Sequence, residues 1–280
     1  MKRIFNGFLP LAVFALVFVL LPLIYMIALS FMRREGSWGV EAVFTAENYK
    51  RILEPVYIRA FTQSVRLAFF STIITIIIGY PFGYFMARLS PAWKGRIMFL
   101  LIIPFWTSFL MRLYGWMILF RANGPLDSLL MWIGVTDKPL RLLYSYPFAL
   151  SGMVYALLPF MIYSVYTSAE KLDWSLVEAA RNLGASRISA FLTVSFPLTM
   201  PGLFSGVVLT FVPSMGLFFV ADILGGNKLV LVGNVIHESL VKAHDQPFAA
   251  ALSATLMIMT SLFILLYRKL TRSKELEGLV

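Results

Sequence analysis

The stretch 170-EKLDWSLVEAARNLGASRISAFLTVSFPLTMP-201 is the polar interruption of an otherwise apolar chain, and it carries a helical pattern that a simple connector does not need. Leu172, Leu176, Ala180 and Leu183 recur at steps of three and four, which predicts one apolar face. Asp173 or Ser175 suits the start of that helix, with Ser175 and Glu178 at capping-box spacing. Gly184 suits the left-handed position that ends it. The helix so defined has about ten residues, which is marginal alone in water, so its stripe calls for burial against a membrane surface or a partner protein.

On both sides of this stretch the sequence is membrane-like. Of 280 residues, 59% are hydrophobic and 14% charged, against about 25% charged for a soluble domain. Six apolar blocks stand out: 8–31, 65–87, 97–120, 150–167, 201–221 and 248–267. Each approaches the roughly 20 residues that one crossing of a 30 Å hydrocarbon core needs. A spanning chain has no water for its backbone, so every block is expected to be helical. The expected fold is an all-α membrane protein with six transmembrane helices and a single domain over 1–280. There are no cysteines, which removes disulfides, thiolate metal sites and cysteine nucleophiles. The net charge of +10 comes without a basic run longer than two residues, so an anionic bilayer explains it better than nucleic acid.

Lysine and arginine asymmetry sets the expected orientation. With the N-terminus inside, the cytoplasmic segments hold twelve basic against five acidic residues, and the outer connectors ten against nine. Both termini and a loop over 168–200 are therefore expected in the cytoplasm. The first block follows Lys2 and Arg3 and contains Ala28-Leu29-Ser30, as a cleaved leader would. Its apolar run exceeds the 7 to 15 residues or so of a signal h-region, which favours an uncleaved span.

Glu178-Ala179-Ala180, three residues, Gly184, nine residues and then Val194-Ser195-Phe196-Pro197 resemble the signature E-A-A-x3-G-x9-I-x-L-P of ABC-importer permeases. Val and Phe replace the usual Ile and Leu. The resemblance implies a type I importer permease fold in which this loop is the coupling helix of a separate ATPase. Glu178 and Arg181 would then make polar contacts to that ATPase, Leu176, Ala179 and Ala180 would fill its cleft, and Gly184 would permit the turn. Further segments resemble permeases of spermidine/putrescine importers: Pro104-Phe105-Trp106-Thr107-Ser108 with Arg112 and Tyr114-Gly115-Trp116; Asn123-Gly124 with Trp132-Ile133-Gly134-Val135; Leu158-Pro159-Phe160; and Pro213-Ser214-Met215-Gly216 through Asp222 to Gly225-Gly226. Phe44-Thr45, Asn48-Tyr49 and Asp245-Gln246-Pro247-Phe248 fit as well, with Gln246 where the polyamine group often has tryptophan. The resemblance implies a second homologous permease, an ATP-binding subunit dimer that carries ATP and Mg, and an external substrate-binding protein. No cofactor is expected on this chain.

No Gly-x4-Gly-Lys-Ser/Thr loop occurs, so the energy source is expected on another chain; Gly225-Gly226-Asn227-Lys228 has the wrong spacing. His237 and His244 read as polar surface residues, and no catalytic constellation is visible. Arg66 and Arg112 lie in apolar blocks, each costing about 2.5 to 3.5 kcal/mol at mid-helix. Arg66 is expected to snorkel outward and Arg112 to brace the bundle through carbonyls or a carboxylate. For a polyamine cargo, carboxylates and aromatic faces are the suitable groups. Asp222 is the candidate carboxylate, and Trp106, Trp116 and Tyr267 are the candidate aromatics, the last two equally readable as interfacial-belt residues. Pro81, between Gly79 and Gly83, and Pro104, Pro159 and Pro213 mark points where helices bend, for packing or for hinge motion.

Other readings are a permease for another solute such as thiosulfate, iron or phosphate, and an ion-coupled secondary transporter. The second calls for inverted repeats and shared buried ionisable residues, neither of which the sequence displays. A membrane enzyme ranks lower still.

Overall fold

The computed structural model describes residues 13–36, 39–140 and 142–277, with side chains to residue 269 and none for Asn227. Lys2, Arg3, the start of the first block and Arg141 lie outside these residues. The helices are α1 (Val13–Ser30), α2 (Glu47–Ile52), α3 (Pro55–Met86), α4 (Pro91–Ile102), α5 (Phe109–Phe120), α6 (Pro125–Trp132), α7 (Tyr146–Ala169), α8 (Trp174–Asn182), α9 (Arg187–Gly216), α10 (Val232–His237) and α11 (Gln246–Glu277). A two-stranded antiparallel hairpin, β1 (Arg33–Glu35) and β2 (Gly39–Glu41), is an addition to the all-helical expectation.

Five described helices are long and apolar enough to cross a membrane: α1, α3, α7, α9 and the Gln246–Lys269 part of α11. The third apolar block differs from the single span expected. Pro91–Trp106 and Phe109–Trp132 meet at 93°, so six crossings result only if this bent pair counts as one. Pro104 brings no N–H to the helix, the chain tightens into a 3₁₀ turn over Ile103–Trp106, and Thr107 is extended. By contrast, Pro81, Pro159 and Pro213 sit inside continuous helices. Helix α9 instead ends after Gly216, within the apolar block 201–221, at Leu217, whose ψ of 57° leaves the helical region. The connector expected over 168–200 is shorter as a non-helical stretch, because α9 starts at Arg187 and runs unbroken into its apolar half. A π-helical segment, Phe191–Ser195, precedes Pro197, whose ring cannot accept a regular helical turn.

By contacts the chain divides into two units, Met1–Phe61 with Val232–Val280, and Thr62–Leu231. In the first, Phe61, Val232, Phe248 and Leu252 belong to a shared core. Buried Asp245 caps α11 by accepting the Phe248 N–H at 3.2 Å and pairs with Arg51 at 2.8 Å, and the Arg51 guanidinium lies 3.9 Å over the Phe248 ring. Asn48 donates to the Ser30 and Met32 carbonyls. These contacts give structural work to the Asn48-Tyr49 and Asp245–Phe248 patterns.

In the second unit α7 runs along α9, and Ser164 donates to the Gly202 carbonyl at 3.0 Å. Gly83 of α3 meets α7 so closely that an added Cβ would stand 2.7 Å from the Ile162 carbonyl oxygen. Asn123 adopts φ +56°, and buried Asp127 accepts its N–H and that of Leu140, so the Asn123-Gly124 pattern marks a backbone turn before α6.

Candidate functional site

Helix α8 is closed at both ends by its own sequence. The Asp173 carboxylate accepts the Ser175 N–H at 3.0 Å, and these bonds to Ser175 hold its carboxyl below the usual carboxylate range. Asp173 is thus the cap, and Ser175 sits inside the helix rather than at the head of a capping box. At the other end Gly184 adopts φ +93°, and the Ala185 N–H returns to the Ala180 carbonyl at 3.1 Å while the Gly184 N–H returns to that of Arg181. That closure satisfies the last carbonyls and requires a residue free to enter the left-handed region.

The expected single stripe is corrected here. Leu172, Val177 and Ala190 form the buried cluster, with Trp174, Ala180 and Val194 packed on it. Leu176 is 48% exposed and Leu183 89% exposed. Leu172 precedes the cap, so counting four residues from it crosses backbone that is not helical and puts Leu176 on the wrong side. Leu176, Ala179 and Leu183 therefore face outward, joined by exposed Glu178, Arg181 and Gly184 and by Ile188 at 73% exposure.

A polar thread ties α8 to its neighbours, and sequence reasoning missed it. The Arg88 guanidinium lies 4.5 Å over the Trp174 ring and 5.0 Å over that of Tyr84, and donates to the Tyr84 hydroxyl at 3.1 Å. Tyr84 donates to Ser195 of the π-helical segment at 2.9 Å, and Tyr80 shares a 2.7 Å hydrogen bond with Thr199 of α9. The Tyr80–Tyr84–Arg88 spacing of four residues on one helix was the available signal. A cavity of about 600 Å³ lies beside this thread, bordered by Arg88, Glu178, Arg181 and Arg187. At the end of α7, Glu170 accepts from Tyr166 at 2.6 Å and from Lys94 at 3.3 Å. The Tyr166 hydrogen bond, and next the Lys94 charge, hold its carboxyl below the ordinary glutamate range.

The candidate pathway residues of the second unit, Trp106, Trp116 and Asp222, have separate surroundings. Trp106 is 75% exposed at the bend between α4 and α5 and meets Phe99 edge-on. Trp116 is half-buried among Phe120, Phe148 and Tyr155, in the apolar core. Asp222 is exposed in the π-helical turn Ala221–Gly225. Tyr267 belongs to the other unit and stacks on Phe263. Arg112 makes a local contact: Nη1 donates to the Thr107 carbonyl at 3.3 Å, the guanidinium lies 5.7 and 5.6 Å from the Phe105 and Phe109 rings, and its Nε has no hydrogen-bond partner. Among the described residues no group of three or more His, Asp or Glu is placed to hold a metal ion.

A capped helix with exposed leucines between two helices long and apolar enough to cross a membrane belongs to an integral membrane protein. The chain belongs to the family described as binding-protein-dependent transport system inner membrane component, which matches residues 79–274. It is a permease-type protein of the inner membrane. It is 43% identical to the spermidine/putrescine transport system permease protein PotB of Escherichia coli (strain K12), over 93% of this chain and 96% of that one. It is 40% identical to PotB of Haemophilus influenzae, over 93% and 92%. In fold it is similar to a bacterial alginate ABC transporter chain, with a TM-score of 0.80 at 14% identity, covering 97% of this chain and 94% of that one. It is also similar to a chain of the MetNI methionine ABC transporter, with a TM-score of 0.60 at 18% identity, covering 79% and 98%.

Proposed function

We propose that this chain is the polyamine-translocating permease subunit of an ATP-driven importer, acting by alternating access and carrying no catalytic site of its own. The observation that carries the coupling role is α8, whose ends are satisfied internally while Leu176, Ala179 and Leu183 stay outside. An apolar face so presented gains stability when covered, roughly in proportion to the area removed from water. The occupant in this reading is a cleft of a separate ATP-binding subunit dimer, with ATP and Mg held there. Glu178 and Arg181 flank the apolar contacts, and the Arg88–Tyr84–Ser195 thread carries displacement of α8 to α3 and α9. A second permease completes the pathway, and an external binding protein delivers cargo.

The termini and the 168–200 loop lie in the cytoplasm in this reading, supported by the excess of twelve basic over five acidic residues summed over all the segments placed inside. The spermidine/putrescine assignment is supported by the relatives at 43% and 40% identity. Asp222, Trp106, Trp116 and Tyr267 are the residues proposed for the cargo path, which the second permease completes. The test is ATP-dependent spermidine uptake by vesicles holding the assembled complex. Glu178→Arg is expected to abolish most uptake while leaving membrane insertion intact. Unchanged uptake by that variant would contradict the coupling role.

A further inference from the structure

The end of α7 away from α8 is built to other rules. A cavity of about 280 Å³ opens there, bordered by Gln63 and Arg66 of α3, by Tyr144, Ser145 and Tyr146 at the start of α7, and by Lys228. Neither Arg66 nor Lys228 forms an ion pair among the described residues. No carboxylate lines the cavity among those residues. The Tyr146 hydroxyl is buried and has no hydrogen-bond partner, although it lies within electrostatic reach of Arg66. Buried hydroxyls are normally paired, so an orphan within reach of Arg66, on a residue that borders a cavity with Lys228, points to a missing acceptor. The positive end of the 24-residue helix α7 adds to the same field.

Such a lining excludes a polycation, so it is not a seat for the cargo proposed above. It suits a compact oxyanion, which can accept from a guanidinium, an ammonium and a phenol together. Helix α7 is about 36 Å long at 1.5 Å per residue, so the cavity lies one bilayer thickness from Glu170, at headgroup depth. Basic pockets between membrane helices take anionic headgroups by this chemistry.

We propose that Arg66, Lys228 and the Tyr146 hydroxyl form a binding site for a phosphate oxyanion, drawn from a phospholipid headgroup or from free inorganic phosphate. The experiment uses the full chain purified with its co-assembling subunits. Native mass spectrometry reads retention of added phosphatidylglycerol, and thermal melts in inorganic phosphate against chloride at matched ionic strength read the free anion. Retention or stabilisation in the wild type is expected to weaken about tenfold in Arg66→Gln with Lys228→Gln, the loss of a charge-assisted bond or more. Tyr146→Phe is expected to weaken it less, and Arg66→Lys to keep most of it.

Loss of phosphatidylglycerol alone assigns the site to the headgroup, and loss of the phosphate effect alone assigns it to the free anion. Equal behaviour of wild type and variants with both probes overturns the proposal. Should the double variant fail to fold, Tyr146→Phe and Arg66→Lys carry the same comparison.

Discussion

The two ends of α7 solve opposite problems. At the Ala169 end Lys94 and Tyr166 meet on Glu170, and Arg88 is stacked on Trp174 and Tyr84. The outer face of α8 there leaves Leu176 and Leu183 uncovered. At the Tyr146 end the apolar groups are packed, Phe148 and Ala149 lying in the main core, and what is left over is cationic. One end presents a surface that gains by excluding water, and the other a field that gains by taking up an anion. Each surplus identifies the chemistry of what should cover it better than any single residue does.

The sharpest way to break this contrast is to make the α8 face polar. Leu183→Asp is expected to lower ATP-driven uptake about 30-fold or more, the scale of losing an interface anchor worth ~2 kcal/mol. Thermal stability of the isolated chain should change little, within ~0.5 kcal/mol, because the side chain touches almost nothing in it. Normal uptake in that variant would mean that the exposed leucines serve no partner.

Gly83→Val addresses the packed side of the same end. Its Cβ would meet the Ile162 carbonyl at 2.7 Å and the Tyr166 nitrogen at 3.1 Å, both backbone atoms that cannot swing aside. Overpacking of this kind costs about 1–3 kcal/mol, so the melting temperature in detergent should fall, and uptake with it. An unshifted melting temperature would show that α3 and α7 are not seated against each other as described.

The sequence disclosed the helical character of each block and both closures of α8, because composition and a glycine at the right offset are local facts. It misled where the reading crossed a change of backbone. Leu172 counts by spacing into a helix that starts after it, and the third block reads as one span bent at Pro104, although the chain breaks there into two helices at 93°. The pairings Tyr84–Ser195 and Lys94–Glu170 join residues 111 and 76 positions apart, which no periodicity encodes. Arg66 shows the limit most clearly. Its cost in an apolar block is legible, but that Lys228 and Tyr146 share its cavity depends on the return of the chain after α9.

The mildest test concerns Glu170. Its carboxyl is held below the ordinary range, first by Tyr166 and then by Lys94, so its contribution to stability is in place above the unfolded-state value of about 4.3 and is lost as pH falls through the lower folded-state value. The group is 44% exposed, so solvent screens the Lys94 pair and the effect is small. Melting temperatures of wild type and Glu170→Gln should therefore differ most at neutral pH and converge as the buffer is taken below about pH 4. The Tyr166 hydroxyl can still donate to the amide oxygen, so what the comparison isolates is the charge. A gap that widened on acidification would mean that the carboxyl is held protonated, and the Ala169 end of α7 would then no longer be the electrostatically satisfied one.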